Sequence, residues 1–125
     1  AGEMPSYTVY EDDYVLAFLD IYPATKGHVV VIPKEHCSDL ASLPIENWKN
    51  IAVGLQQSLK RVQAVLNPDG ANIGINDKKV AGQVVPHVHW HIFPRWENDG
   101  GTSVHSIIKN KPDIKVENIA ALFKK

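Results

Sequence analysis

A run in which histidine alternates with apolar residues, HVHWHI at positions 87–92, constrains the fold more than any other segment of the chain. Successive side chains of a β-strand point to opposite faces. The run therefore predicts a strand, drawn over residues 84–94, with His87, His89 and His91 on one face and an apolar core face opposite. Each buried imidazole needs hydrogen-bond partners, so three imidazoles in a row indicate chemistry rather than packing.

The rest of the chain predicts an α+β domain. One apolar stripe predicts a long helix over Ile45–Leu66, with Pro44 at its start, and a short second helix is predicted over residues 116–123. The stripe runs through Ile45, Trp48, Ile51, Ala52, Leu55, Leu59, Val62 and Leu66. The other predicted strands are residues 7–11, 14–19, 28–33 and 71–76. This order favours a mainly antiparallel sheet covered by a helix.

Composition limits the class of protein. With 125 residues, 44% apolar and 22% charged, the chain is expected to form one globular domain, residues 1–125. A formal net charge of −1 gives no strong field, so neither nucleic acid nor a membrane is expected as a partner. The single cysteine, Cys37, excludes an intrachain disulfide within this sequence. With no apolar run near the ~20 residues of a span and no signal-peptide pattern at residues 1–10, a cytoplasmic location is expected.

Two kinds of chemistry fit the histidine row. Imidazole is a common ligand of zinc, copper and iron. A neutral imidazole is also a nucleophile toward phosphorus, and the ordinary histidine pKa of ~6.5 leaves it mostly neutral near neutral pH. The second kind is favoured because Asn76, Gly82, Gln83 and His28 suggest an anion pocket beside a nucleophile. In addition, no Asp or Glu lies among the clustered histidines, as a carboxylate-assisted metal site would require.

The same segments resemble a known family. The run HVHWHIF at residues 87–93 matches a motif in which three histidines alternate with apolar residues. Similarity to two further conserved blocks is carried by FLDIYP at 18–23 with KGHVVVIPKEH at 26–36, and by NIGIN at 72–76 with AGQVV at 81–85. Over about residues 7–95 the chain thus resembles the histidine triad (HIT) superfamily of nucleotide hydrolases and transferases, with features of its Hint-like and Fhit-like branches.

The resemblance implies a HIT-like fold: an antiparallel five-stranded sheet forming a half-barrel, one long and one short helix, and pairing into a homodimer. It implies a substrate whose α-phosphate is joined to an amine, a sulfate or a second nucleotide. We therefore expect a purine-nucleoside 5′-phosphoramidate hydrolase, with a dinucleoside polyphosphate hydrolase as the alternative. Two interpretations from other classes stay open: a histidine-ligated metalloenzyme and a non-catalytic nucleotide-binding interaction protein.

The resemblance also assigns roles to the histidines. His89 would be the nucleophile, which attacks the α-phosphorus and forms a nucleotidyl-histidine intermediate that water hydrolyses. The carbonyl of His87 would accept the ring N–H of His89 and so fix its reactive tautomer. His91 would contact the phosphate and the leaving group, supported by a hydrogen bond with His28.

Substrate-binding residues are implied in the same way. Phosphate oxygens would be held by Asn76, Gln83 and the amides near Gly82 and Val84, beside His89 and His91. The Asp20 carboxylate would bind the ribose hydroxyls, while Phe18 and Ile21 would line the base pocket. Two simpler interpretations stay open, because Asp20 could cap a turn before Pro23 and the two apolar residues could belong to the core.

Two departures from the family pattern bear on these roles. Many relatives carry Ser or Thr at the position of Val84, so protonation of the leaving group by a side chain there is not expected. Many also bind a structural zinc through an N-terminal Cys-x-x-Cys and two histidines, which by position are His36 and His87. This sequence lacks those cysteines, and two histidines leave a tetrahedral site incomplete, so no metal or other cofactor is expected.

Overall fold

The computed structural model describes residues 7–124, and within them five strands form one antiparallel sheet. In chain order the elements are β1 (Thr8–Glu11), β2 (Val15–Leu19), β3 (Val29–Pro33), α1 (Ile45–Leu66), β4 (Gly70–Ile75), β5 (Trp90–Arg95) and α2 (Val116–Leu122). The order across the sheet is β1-β2-β3-β5-β4, which confirms the predicted α+β class. The ends of the predicted domain, residues 1–6 and 125, lie outside the described residues, as does part of the segment searched for a signal peptide.

Strand β3 lies at the centre of the sheet. Its β-branched run suits a strand that is covered on both faces, and residues 29–31 are all buried. It pairs with β2 through Leu19 and Val29, and with β5 through Val30 and His91. Strand β5 in turn pairs with β4. The residues of β3 and β5 therefore occupy the middle of the sheet, with neighbours on both sides.

The histidine strand is shorter than the predicted span of residues 84–94, because ladder pairing begins only at Trp90. Pro86 has no N–H to donate to a neighbouring strand, and the N–H of His87 bonds back within its own segment at 2.8 Å. The N–H of Val88 donates to the carbonyl of Cys37, in the loop after β3, rather than to β3 itself. A proline and a competing loop thus delay the start of β5.

The core lies between the sheet and α1. Its buried members are Val15, Ala17, Val29, Val31, Ile51, Val62, Val88, Trp90 and Ile92. The apolar side of the histidine run, residues 88, 90 and 92, is therefore core, as predicted. Because the histidines alternate with these core residues, their side chains lie on the opposite face of the sheet, away from the core.

Helix α1 spans the predicted residues and ends where Asn67 adopts a left-handed conformation with φ 51°. Its buried line runs through Ile51, Gly54, Ser58 and Val62. The predicted stripe is too wide at its start, since Ile45 is 72% exposed and Trp48 is 40% exposed. The first turn is only partly covered, by stacking of Trp48 on Trp90 with ring centroids 5.5 Å apart.

The last described segment contains α2, which confirms the predicted short helix. Many apolar side chains in and around this helix are exposed to water, such as Ile107 at 77% exposure and Phe123 at 83%. None of the helices within residues 7–124 combines the length and the apolar character that crossing a bilayer demands.

Candidate active site

The register of the sheet gathers the predicted site residues on the face opposite α1, called here the histidine face. Directly paired residues of antiparallel strands point to the same side. Phe18 pairs with Val30, which pairs with His91, so these three side chains form a row on the histidine face. The next row begins with Asp20, whose N–H donates to the carbonyl of His28 at 2.9 Å.

His89 precedes β5, and its ring orientation is set by a backbone carbonyl. Its Nδ1 lies 2.8 Å from the carbonyl oxygen of His87. A carbonyl can only accept, so Nδ1 carries the proton and Nε2 keeps its lone pair. No hydrogen bond within residues 7–124 uses that Nε2. The half-buried ring therefore offers a bare nitrogen, which is the state a nucleophile needs.

His28 and His91 form a second oriented pair. The N–H of Ala24 donates to Nδ1 of His28 at 3.2 Å, so a neutral His28 carries its proton on Nε2. That Nε2 lies 2.9 Å from Nδ1 of His91 and donates to it. His91 then carries its own proton on Nε2, as a donor for an oxygen of a bound ligand. Its ring lies edge-on to that of His89, with centroids 5.0 Å apart, so the ring with the donor and the ring with the bare nitrogen are neighbours.

Phe93 provides an apolar wall for this pair. Its ring centroid lies 4.4 Å from that of His28 and 5.5 Å from that of His91. Burial lowers the pKa of His28, and burial together with the charges of His28 and His89 lowers the pKa of His91 to about 4. Phe93 is not among the predicted site residues, although a period of two from His91 places it on the same face.

These pKa shifts predict a loss of stability in mild acid. The two histidines bind protons less readily in the folded chain than in the unfolded chain, so the unfolded state gains protons first as the pH falls. Their contribution is complete above pH 6.5 and is lost as the pH falls towards about 4. We expect the thermal unfolding midpoint to fall across this window, and to fall less in a His28→Asn/His91→Asn variant than in a His105→Asn control. If the unfolding midpoint depended equally on pH in both variants, the loss of stability could not be assigned to His28 and His91.

The residues predicted to bind the nucleoside lie at the β2 end of the histidine face. Phe18 is half-buried in the row that leads to His91. Asp20 does cap a turn, since its Oδ1 accepts the N–H of Tyr22 at 2.9 Å, while its Oδ2 lies 3.7 Å from Nδ1 of His28. Ile21 is 57% exposed, so it does not belong to the core.

The loop between β4 and β5 holds the residues predicted to bind phosphate. Gly82 has a φ of 109°, which favours glycine, and it lies against the amide of Asn76. The N–H of Gly82 is already used, because it donates to the carbonyl of Lys79 at 3.0 Å. Val84 is 91% exposed, and no hydrogen bond within residues 7–124 uses its N–H. Two donors of this loop that are available to an anion are thus the Asn76 amide and the Val84 N–H.

Gln83 differs from the expectation that its amide faces the ligand. The residue is buried, its Oε1 accepts the N–H of Lys78 at 2.7 Å, and its Nε2 donates to the carbonyl of Ser38 at 2.9 Å. Both ends of the amide therefore bond inside the protein. Sequence spacing places Gln83 beside the site, but it does not show which way a flexible side chain turns.

His87 also leaves the predicted row, because its ring turns toward the loop after β3. Its Nδ1 lies 3.1 Å from Nδ1 of His36, and its Nε2 lies 3.0 Å from the carbonyl of Pro33. These are the two histidines that the family pattern associates with zinc. Among the described residues no third ligand joins them, so they do not fit a tetrahedral zinc site. In the site, His87 acts through the carbonyl that holds His89.

A carboxylate does meet the histidines in space. Ligand atoms of Asp20, His28 and His91 all lie within 4.8 Å of one another, because the β2–β3 hairpin brings Asp20 beside His28. The facing nitrogens of the two histidines already share a hydrogen bond of 2.9 Å, and the other nitrogen of His28 accepts from Ala24. His28 has no free lone pair, so the group suits proton placement better than metal ligation.

Arg95 follows Phe93 on the histidine face, but its guanidinium is already paired. Its Nε and Nη2 donate to the two carboxylate oxygens of Asp99 at 2.7 and 2.8 Å. Its Nη1 donates to Asn72 and to the carbonyl of Thr102, both at 2.6 Å. The guanidinium holds the pKa of Asp99 well below its ordinary value. Arg95 therefore stabilises the turn after β5 and is not free to pair with a charged ligand.

The segment 36–43, which precedes α1, is tied to the loop of the site. The N–H of Leu40 donates to Oδ1 of Asp77 at 2.9 Å. The carbonyl of Cys37 accepts from Val88 at 2.6 Å. With the bond from Gln83 and the contacts of His87 Nδ1 with the N–H of Cys37 and with His36, five hydrogen bonds connect this segment to residues 77–88.

Comparisons with known proteins agree with the fold. The HIT domain model matches residues 1–98. An uncharacterised HIT-like protein of Methanocaldococcus jannaschii is 45% identical over 109 residues, 87% of this chain and 84% of that protein. The adenosine 5′-monophosphoramidase hnt1 of Schizosaccharomyces pombe is 37% identical over 103 residues, 82% of this chain and 74% of that protein. A crystal structure of a HIT family member from Bacillus subtilis has a TM-score of 0.80 at 35% identity, covering 97% of this chain and 87% of that chain.

These matches extend across the strands and loops that carry the histidine face. The five-stranded antiparallel sheet with its long and short helices is the fold of the structural relatives, which confirms the predicted HIT-like architecture. The matched family model includes all of the residues that build the candidate site. The chain belongs to the HIT family.

Proposed function

We propose that the protein hydrolyses nucleoside 5′-phosphoramidates through a covalent intermediate on His89. One observation carries the proposal: the hydrogen bond from Nδ1 of His89 to the carbonyl of His87 leaves Nε2 bare. The N–H on Nε2 of His91 lies beside it as a donor for a phosphoryl oxygen. A fixed nucleophile next to a fixed donor is an arrangement that accelerates phosphoryl transfer.

The reaction takes place in two displacements at phosphorus. In the first, the lone pair on Nε2 of His89 bonds to the α-phosphorus, the bond to the amine nitrogen breaks, and that nitrogen takes a proton from solvent. In the second, water attacks the same phosphorus, the bond to Nε2 breaks, and the proton lost by water returns to solvent. Nδ1 of His89 keeps its proton throughout, and the carbonyl of His87 stabilises the cationic ring of the intermediate.

An amine leaving group suits the surroundings better than a polyphosphate. Expulsion of a polyphosphate builds up negative charge, which enzymes commonly neutralise with Arg, Lys or a metal ion. Arg95 is paired with Asp99, and Val84 offers no side-chain hydroxyl. An amine leaves as a neutral molecule after protonation. A relative named as an adenosine 5′-monophosphoramidase supports the same choice.

The nucleoside is proposed to lie toward β2. Oδ2 of Asp20 is placed to accept from ribose hydroxyls, and Phe18 with Ile21 can pack against a purine base. We also propose a homodimer located in the cytoplasm. The proposal of a dimer is supported by exposed apolar side chains such as Ile107 and Phe123, which a second copy of the chain could cover.

Steady-state kinetics on a substrate panel tests this function. We expect kcat/KM for adenosine 5′-phosphoramidate to exceed that for diadenosine tri- and tetraphosphate by about tenfold or more. We also expect EDTA to leave the rate unchanged, because no step uses a metal. Preference for the dinucleotides would favour the polyphosphate hydrolase. Loss of activity in EDTA that zinc restores would favour the metalloenzyme, and tight AMP binding without any turnover would favour the interaction protein.

A further inference from the structure

The loop between β4 and β5 contains a residue in a backbone conformation that normally requires glycine. Lys78 has φ 74° and ψ 164°, a backbone conformation that residues other than glycine rarely adopt. Its carbonyl accepts from the N–H groups of Ala81 and Gln83 at 3.1 and 3.2 Å. Surrounding contacts must therefore hold Lys78 in this state.

The strongest of these contacts comes from the Gln83 side chain. Its Oε1 accepts the Lys78 N–H at 2.7 Å, while its Nε2 is anchored 2.9 Å from the carbonyl of Ser38, on a different segment. The side chain is buried, so the bond to Lys78 is shielded from competing water. The amide of Gln83 thus connects the strained residue to a fixed point outside the loop.

The two anion donors, the Asn76 amide and the Val84 N–H, lie on either side of this connection. Asn76 precedes Lys78, and Val84 follows Gln83 directly. The short turn of residues 79–81 closes between them and brings Gly82 against the Asn76 amide. The positions of both donors therefore depend on the conformation that Lys78 is made to adopt.

We propose that Gln83 is a positioning residue, not a phosphate ligand: it holds Lys78 in a strained conformation and thereby directs Asn76 and Val84 toward the anion. The inference rests on the proposed hydrolase function and refines it. It accounts for a glutamine beside a phosphate site whose amide is turned entirely into the protein. It also predicts that the effect of losing Gln83 depends on the residue at position 78.

A double-mutant cycle between Gln83 and Lys78 tests the proposal. Gln83→Met keeps the side-chain volume and removes both hydrogen bonds. We expect it to lower kcat/KM for adenosine phosphoramidate roughly tenfold or more, mainly through KM, and to weaken AMP binding in parallel. Lys78→Gly alone should remain close to wild type, because glycine adopts the conformation without strain. The Lys78→Gly/Gln83→Met variant should recover to within about threefold of wild type. Gln56→Met, an exposed change on α1, is the matched control.

Recovery in the double variant separates positioning from direct contact. If Gln83 touched the phosphate, glycine at position 78 would restore nothing, and that result overturns the proposal. So does an unaltered kcat/KM in Gln83→Met. If that variant does not fold, Gln83→Asn replaces it: its shorter amide cannot reach both the Lys78 N–H and the Ser38 carbonyl, so adding Lys78→Gly should again restore activity, and a lack of recovery contradicts the positioning role.

Amide hydrogen exchange provides a readout that does not depend on turnover. The N–H of Lys78 should be protected in the wild type and exchange at least about tenfold faster in Gln83→Met. Should the wild type fail to hydrolyse any phosphoramidate, the proposed function falls, while the exchange rate and the affinity for AMP still decide whether Gln83 holds the loop. Equal exchange rates in the two proteins would refute the positioning role.

Discussion

The His89→Ala variant is expected to lose hydrolysis of adenosine 5′-phosphoramidate by about four orders of magnitude or more. The reason is that Nε2 of His89 is the only protein atom proposed to bond to phosphorus. Removing a covalent nucleophile removes the reaction path, whereas removing a binding group only weakens a complex. The AMP dissociation constant should change by less than about tenfold, because Asn76, Val84 and His91 remain as donors.

Two measurements make this prediction specific. Rapid base quenching of the wild type during turnover, which spares the acid-labile bond between phosphorus and nitrogen, should trap a nucleotidyl adduct on His89. The peptide that contains His89 should then be heavier by one adenylyl group, the mass of AMP less water. The exposed His105, which lies outside the site, provides the control, and its replacement by alanine should leave both turnover and adduct formation intact. A His89→Ala variant that retains more than about a tenth of the wild-type rate would refute the covalent route.

The second large effect concerns stability and is centred on Gly54. A glycine inside a helix normally costs about 1 kcal/mol relative to alanine, so Gly54→Ala would ordinarily stabilise α1. Here a Cβ would lie 2.9 Å from Cγ1 of Val15 and closer still to Cγ2. Val15 is fully buried and β-branched, so it cannot move aside. We expect Gly54→Ala to lower the free energy of unfolding by about 1–3 kcal/mol.

A compensating change checks the cause. Val15→Ala removes the two methyl groups that the new Cβ would meet. The Gly54→Ala/Val15→Ala variant should therefore lose less free energy of unfolding than the two single variants lose together. Chemical denaturation measures all three variants, with Gln56→Ala as an exposed control on the same helix. Additive effects would mean that the contact between Gly54 and Val15 does not limit the approach of α1 to the sheet.

Features that arise from local periodicity could be predicted from the sequence. The span of α1 follows from its apolar stripe and the stop signal at Asn67, and the core side of the histidine run follows from strict alternation. The outer edge of the stripe could not be predicted as well. Ile45 fits the helical spacing, but whether the sheet extends far enough to cover it depends on the tertiary arrangement.

Features that depend on pairing between distant segments could not be predicted. Asp20 approaches His28 because of the register between β2 and β3. The family resemblance associates His36 with His87, but periodicity alone places His87 in the row with His89, from which its ring turns away because Pro86 delays the start of β5. Gly54 is a related case. A lone glycine in a helical pattern can mark close packing, but only the sheet beneath α1 identifies its neighbour.

The five hydrogen bonds between segment 36–43 and residues 77–88 have a consequence for regulation. A ligand that orders residues 77–88 would also restrict segment 36–43, because hydrogen bonds join the two segments. Linkage is reciprocal. A macromolecule that binds segment 36–43 would therefore change the affinity for nucleotide by the same factor by which the nucleotide changes the affinity for that macromolecule. The loop before α1 would thus be a place from which binding of another molecule alters the candidate site.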